Sequence, residues 1–139
     1  MQSVPSPRPS LRNKIVGYLY IIGCVAFTVY GQIVLKWRMN RNLELPEGVV
    51  TKVLFLARLI LTDPFIFSGL ASAFIASLFW MAAMTRFQIS YAYPFMSLAF
   101  VFVLGFSVLL LGESLNIAKL GGTALILIGI AVLARGYEA

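Results

Sequence analysis

An all-α integral membrane protein with four transmembrane helices, and an interfacial or extended helical segment between the first two, is the fold the sequence predicts. Three observations carry that expectation. Sixty per cent of the 139 residues are apolar and only 12% are charged, a balance that no water-soluble domain of this length sustains. The charges gather between long uncharged runs instead of punctuating them. Several of those runs reach the ~20 residues that a helix needs to cross a hydrocarbon core about 30 Å thick.

Residues 1–14 read as a disordered N-terminal tail, because Met1 to Ser10 holds three of the six prolines and three serines. Arg12 and Lys14 mark the membrane edge. The first span, 16–35, has 20 residues without a charge; it is too long for a cleaved signal peptide and lacks an Ala-x-Ala exit. Lys36, Trp37, Arg38 and Arg41 close it, and Asn42 to Gly48 forms a polar loop. The segment 49–63 is apolar yet carries Lys52, Arg58 and Asp63, so it is expected either to lie along the headgroups as an amphipathic helix or to extend the next span. Pro64 breaks the chain before a second uncharged span, 65–84. Arg86 and Gln88 leave a tight connection to a third span, 91–111, and Gly112, Glu113 and Ser114 make the following turn. The fourth span, 117–134, has Lys119 placed to snorkel at its start and Arg135 to anchor its end. Residues 15–136 thus form one four-helix transmembrane domain.

Four crossings put Arg8, Arg12, Lys14, Arg86 and Arg135 on one side and Lys36, Arg38, Arg41, Lys52, Arg58 and Lys119 on the other. Such a balance encodes orientation poorly and permits opposed copies. The net charge of +6 flanks apolar segments rather than forming a basic stripe with interleaved aromatics, which fits anionic lipid headgroups and phosphates better than nucleic acid. Histidine is absent and only five carboxylates occur, excluding triads, His-based acid–base chemistry and the common zinc sites. No catalytic residue, metal site or cofactor is therefore expected. Cys24, the single cysteine, reads as a small interface residue.

Within the spans, small and polar residues locate the faces that pack. Gly17, Cys24, Thr28 and Gly31 share one face of the first helix, with Gln32 beside it. Ser68 with Ser72 and Gly69 with Ala73 form small-xxx-small pairs in the second. Tyr93, Ser97, Phe100, Leu104 and Ser107 form a stripe in the third. Gln32 needs a hydrogen-bonding partner, either a neighbouring helix or a headgroup. Tyr91 and Tyr93 suit an interfacial aromatic belt or a polar site. Pro94 stands either in a first helical turn or at a point where the Ser90 carbonyl loses its helical partner; either choice exposes polar backbone where an anion can bind, assisted by Lys36 or Arg86. No span contains a carboxylate, so the carrier that a proton-driven pump needs is missing.

The segments SYAYPFMSLAFVFV (residues 90–103), LLGESL (110–115) and VYGQIVLK (29–36), together with the helix bearing Gly122 and Gly129, resemble the drug/metabolite transporter superfamily. The resemblance is nearest to small EamA-like proteins and to undecaprenyl-phosphate aminoarabinose flippase subunits of bacterial cytoplasmic (inner) membranes, and it covers nearly the whole membrane part. The small multidrug resistance branch shares the layout but has an essential glutamate where Thr28 stands here, which weighs against proton-coupled drug export. The resemblance implies a homodimer, or a heterodimer with a related small subunit, in contact through Gly122 and Gly129. It also implies a flippase site in which Lys36 and Arg86 attract a polyprenyl phosphate while Gln32, Tyr91, Tyr93 and Ser97, beside Pro94, bind phosphate or sugar. Three functions stay open: translocation of a lipid-linked sugar, export of another amphipathic solute or drug, and a non-transporting scaffold for a glycosyltransferase complex.

Overall fold

The computed structural model describes residues 11–41 and 44–138. The first ten residues of the expected tail, Arg8 included, and Asn42 of the expected loop lie outside them. Among the described residues there are six helices and no strand: α1 Leu11–Met39, α2 Val49–Thr62, α3 Pro64–Met84, α4 Ile89–Met96, α5 Leu98–Leu111 and α6 Ile117–Glu138. The all-helical expectation holds. Three segments have the length and composition to cross a membrane, namely α1, α3 and the continuous stretch Ile89–Leu111, whereas the apolar part of α6, Ile117–Leu133, is shorter. Leu11 to Lys14, expected in the tail, are the first turn of α1, which no proline interrupts.

α1 and α3 form an antiparallel pair along their whole length. At one end Gly17 faces Phe87 and Arg86; further on Gly23 faces Phe79; near the other end Gly31 meets Gly69 and Ser72, and Trp37 packs edge-on against Phe65 at 5.3 Å. Gly31 sits so close to α3 that a Cβ there would lie 2.7 Å from Ser72 Oγ and 2.8 Å from the Gly69 carbonyl oxygen. The Ser72 hydroxyl crosses the seam and donates to the Phe27 carbonyl at 2.7 Å. Gly17, Cys24 and Gly31 are buried as their spacing predicts. On α3, Gly69 and Ser72 are buried, while Ala73 points outward.

The two readings left open for residues 49–63 separate at Asp63. Its backbone is extended (φ −105°, ψ 111°), so α2 is a helix of its own and not the start of α3. Asp63 then caps α3, its Oδ1 accepting from the backbone N–H groups of Phe65 at 3.0 Å and Ile66 at 3.3 Å, with Pro64 in the first helical position, where its missing N–H costs nothing. α2 buries no residue; Val50, Val53, Leu54 and Leu61 form an exposed apolar stripe at helical spacing.

The third apolar segment is interrupted. Pro94 lies inside α4, the second of its two sequence readings, so the Ser90 carbonyl has no N–H to accept from at that position. Three residues later the helix breaks at Ser97, whose N–H donates to the Pro94 carbonyl at 3.1 Å and whose carbonyl accepts from Phe100 at 3.0 Å. These are i to i−3 bonds, the tighter 3₁₀ pattern. α5 stops at Gly112, which is left-handed (φ 67°), with the Glu113 N–H closing on the Ser107 carbonyl at 3.2 Å. The core gathers Ile21, Val25, Val29, Ala83, Ala92 and Ala99. α6, started by Asn116 Oδ1 accepting from the Lys119 N–H at 2.8 Å, buries none of its described side chains.

A second clasp joins α1 to the start of α3: Arg38 Nε donates to Asp63 Oδ2 at 2.5 Å, with Asp63 buried. Burial alone pushes the Asp63 carboxyl up, but the Arg38 hydrogen bond, the backbone N–H groups of Ile66 and Phe65 and the Arg38 charge together outweigh it and hold the group below the ordinary carboxylate range. A carboxyl depressed in the folded state contributes stability above its unfolded pKa of about 3.9 and loses that contribution as the pH falls through the folded value. The thermal midpoint of the detergent-solubilised protein is thus expected to decline below about pH 4 in a way that Asp63→Asn, already weaker at neutral pH, does not share. Gly31→Ala is expected to cost about 1–3 kcal/mol by overpacking the α1–α3 seam. Gly121→Ala, where an added Cβ meets nothing within 4 Å, should be neutral in the same thermal assay.

Candidate functional site

α1 has two flanks besides the one it gives to α3, and each borders a groove. On one flank α1 faces α4 and α5 across an apolar groove of about 700 Å³, lined among others by Ile22, Val25, Ala26, Phe102 and Phe106. Tyr18 stands at one end of it and Tyr30 and Leu110 toward the other. Side chains there offer a hydrocarbon chain the same environment as lipid, so a tail can enter without losing contact with an apolar phase.

On the other flank α1, α5 and α6 enclose a groove of about 560 Å³. Its walls are apolar, but one end carries Gln32, Lys36, Glu113 and Lys119, with Thr123 and Ser107 nearby. Lys36 Nζ lies 3.5 Å from Glu113 Oε1, both partly exposed, an arrangement worth little as a stabilising pair. Lys119 Nζ donates to the Ser114 carbonyl at 2.9 Å, which holds it at the mouth. Two cations and one carboxylate leave this end with a net positive charge suited to an anionic group. Ile33 borders both grooves, so the apolar channel and the polar mouth are separated by the width of one α1 side chain.

At the opposite end of the bundle a smaller cleft of about 380 Å³ lies between α4 and the end of α6, lined by Ser90, Tyr91, Pro94, Phe95, Val132 and Leu133, with Gly136. The Tyr91 and Tyr18 hydroxyls are 2.6 Å apart, and their rings pack, tilted or edge-on, against Phe87 and Phe95 at centroid distances of 5.1 to 6.1 Å. The carbonyl freed by Pro94 belongs to Ser90, which lines this cleft.

The structure therefore divides the expected site residues. Gln32 and Lys36 come together at one mouth; Tyr91 and Pro94 come together at the other end. Arg86 lies beside Gly17, separated from Lys36 by some 19 residues of α1, on the order of 28 Å, so these two cations attend opposite ends and do not share a ligand. Tyr93 lines none of these three grooves: it is 59% exposed and stands edge-on to Trp80 at 5.2 Å. Ser97 is half-buried at the helix break and lines none of the three grooves. Of the stripe expected to link Tyr93 to Ser107, Phe100, Leu104 and Ser107 face the polar groove, while Tyr93 and Ser97, before and at the 3₁₀ turn, do not line it. Gly122 lines that groove too, and nothing lies within 4 Å of a Cβ added at Gly122 or Gly129.

Sequence reasoning passed over Tyr18 and gave Glu113 a loop role. Glu113 carried a usable signal, a carboxylate directly after an apolar run, but its pairing with Lys36 is a contact across 77 positions that only the fold supplies. No group of three or more potential metal ligands occurs among the described residues.

Comparison with known proteins places these features in a family. Residues 9–135 match the model of the EamA-like transporter family. Among curated relatives, the "Probable 4-amino-4-deoxy-L-arabinose-phosphoundecaprenol flippase subunit ArnF" of Erwinia tasmaniensis is 31% identical over 122 residues, covering 85% of this chain and 94% of the relative. The protein of the same name from Aeromonas hydrophila is 27% identical over 129 residues, covering 91% and 85%. No solved structure matches significantly. With its long apolar helices and a family match across nearly all of its length, the chain belongs to the EamA-like transporter family and is a multi-pass protein of the bacterial cytoplasmic membrane.

Proposed function

We propose that the chain is one subunit of a flippase that moves a polyprenyl-phosphate-linked sugar across the membrane. The observation that carries this reading is the juxtaposition, across Ile33, of a tail-sized apolar groove and a mouth bearing Gln32, Lys36, Glu113 and Lys119. A lipid-linked sugar has those two parts, and here each has a matching environment within one side chain of the other. The printed names of the relatives, flippase subunits for an aminosugar-phosphoundecaprenol, support the same substrate class. In this reading Gln32 hydrogen-bonds phosphate or sugar, Lys36 exchanges Glu113 for the phosphate, and the cleft at Tyr91 and Pro94 receives the headgroup at the opposite face. Arg86 serves that second face. Tyr93 and Ser97 act indirectly, as an outer aromatic anchor and as part of the helix break.

α6 completes the domain of residues 15–136 as a fourth crossing, since its start borders Lys36 and its end borders Tyr91. Its open glycine face supports work in a pair, as a homodimer or with a related small subunit, through Gly122 and Gly129. The absence of carboxylates from the apolar spans favours this over proton-coupled drug export.

In proteoliposomes, labelled polyprenyl-phosphate sugar is expected to cross faster with the protein, supplied with its companion subunit where one exists, than without it. Lys36→Gln should slow the crossing about tenfold, the effect of losing one charge-assisted phosphate contact. Collapse of a proton gradient should leave the rate unchanged. Acceleration that depends on the gradient and is indifferent to Lys36 would instead select the exporter reading.

A further inference from the structure

Away from all three grooves, the last turn of α1 meets the joint between α2 and α3 around a cavity of about 420 Å³, lined by Trp37, Arg38, Arg41, Thr62, Asp63 and Phe65 together with Pro64. Two guanidinium groups stand three residues apart, Arg38 in the last turn of α1 and Arg41 in the turn that follows it, its N–H donating to the Arg38 carbonyl at 3.2 Å. Arg41 lies over the Trp37 ring, its Cζ 4.4 Å from the ring centroid, and makes no ion pair among the described residues. Arg38 commits its Nε to Asp63 Oδ2; among the described residues its two terminal nitrogens have no acceptor. Asp63 brings a single negative charge, already met by Arg38 and by the N–H groups of Phe65 and Ile66, so the second guanidinium charge, that of Arg41, is left uncompensated. The cavity thus has two unspent donor groups, a net charge of +1, and a wall made of an indole and a phenyl ring packed edge to face.

The surroundings identify the ligand's chemistry. Forked guanidinium donors match the geometry of phosphate oxygens. The cavity lies at the ends of two apolar helices, where Trp side chains collect at the headgroup level. The adjoining α2 exposes Val50, Val53, Leu54 and Leu61 as one stripe and carries Lys52 and Arg58 outside it, the pattern of a helix lying in the headgroup layer. We infer that the cavity framed by Trp37, Arg38, Arg41 and Asp63 is a structural site for the phosphate of an anionic membrane phospholipid, which ties the α2–α3 joint to the end of α1. The site is separate from the Lys36 mouth and does not depend on what the protein transports.

The purified full chain in neutral detergent tests this by its thermal midpoint on titration with phosphatidylglycerol, phosphatidylcholine or inorganic phosphate. Phosphatidylglycerol should raise the midpoint saturably and the other two should not. Arg41→Gln should weaken the apparent affinity on the order of tenfold, Arg41→Lys should recover part of it by restoring the charge without the fork, and Lys14→Gln, at the opposite end of α1, should behave as wild type. Native mass spectrometry of the same samples should show one retained phosphatidylglycerol lost in Arg41→Gln. An unchanged response in Arg41→Gln, or an equal loss in Lys14→Gln, overturns the site. A full shift from inorganic phosphate alone overturns its assignment to a lipid.

Discussion

Inside a bilayer a leucine gains nothing by leaving lipid for a neighbouring helix, so two helices stay together only where their backbones approach closely or share hydrogen bonds. Gly31, Gly69 and Ser72 meet that constraint. They let α1 and α3 touch backbone to backbone, and the Ser72 hydroxyl adds a bond across the seam to the Phe27 carbonyl. Gly17 and Gly23 extend the contact under Phe87 and Phe79, and the Arg38–Asp63 pair fixes the far end. The pair so formed is the closest-packed part of the described structure, and the two larger grooves run along the flanks of α1 that α3 leaves open.

The other helices are held less tightly, and the looseness has chemical consequences. α5 meets α1 through apolar contacts, with no glycine contact or side-chain hydrogen bond between them among the described residues, which leaves a seam where a hydrocarbon chain can replace protein contacts at little cost. Pro94 removes a helical hydrogen bond just before α5 begins, and the 3₁₀ bonds at Ser97 mark where the segment bends or shifts most easily. Tyr18 and Tyr91 bridge α1 to α4 beside that point with a single hydroxyl pair.

Much of this was legible in the residues because lipid makes simple demands. Uncharged runs near 20 residues located α1, α3 and the 89–111 segment, Pro64 marked the break before α3, and the seven-residue spacing of Gly17, Cys24 and Gly31 marked the face that packs; the capping role of Asp63 emerged only from the fold. What one-dimensional pattern did not convey was phase and distance. A stripe drawn from Tyr93 to Ser107 assumes one uniform helix, whereas a 3₁₀ turn at Ser97 interrupts it and Tyr93 stands against Trp80. Lys36 and Arg86 look alike as cations flanking spans, yet span counting already puts them on opposite edges, and the fold keeps them there. The Glu113–Lys36 and Tyr18–Tyr91 contacts join positions more than seventy residues apart and follow from helix placement alone.

The central claim is that a lipid tail occupies the seam between α1 and α5 while its phosphate sits at the mouth beside Gln32. Photocrosslinking with a polyprenyl phosphate carrying a photoreactive group along its chain, followed by peptide mapping, measures this directly. The account expects adducts concentrated at groove residues such as Ile22, Ala26, Phe102 and Phe106, displaced by excess unlabelled polyprenyl phosphate. Adducts spread evenly over outward residues such as Phe67, Phe74 and Leu125, with no such displacement, would contradict it.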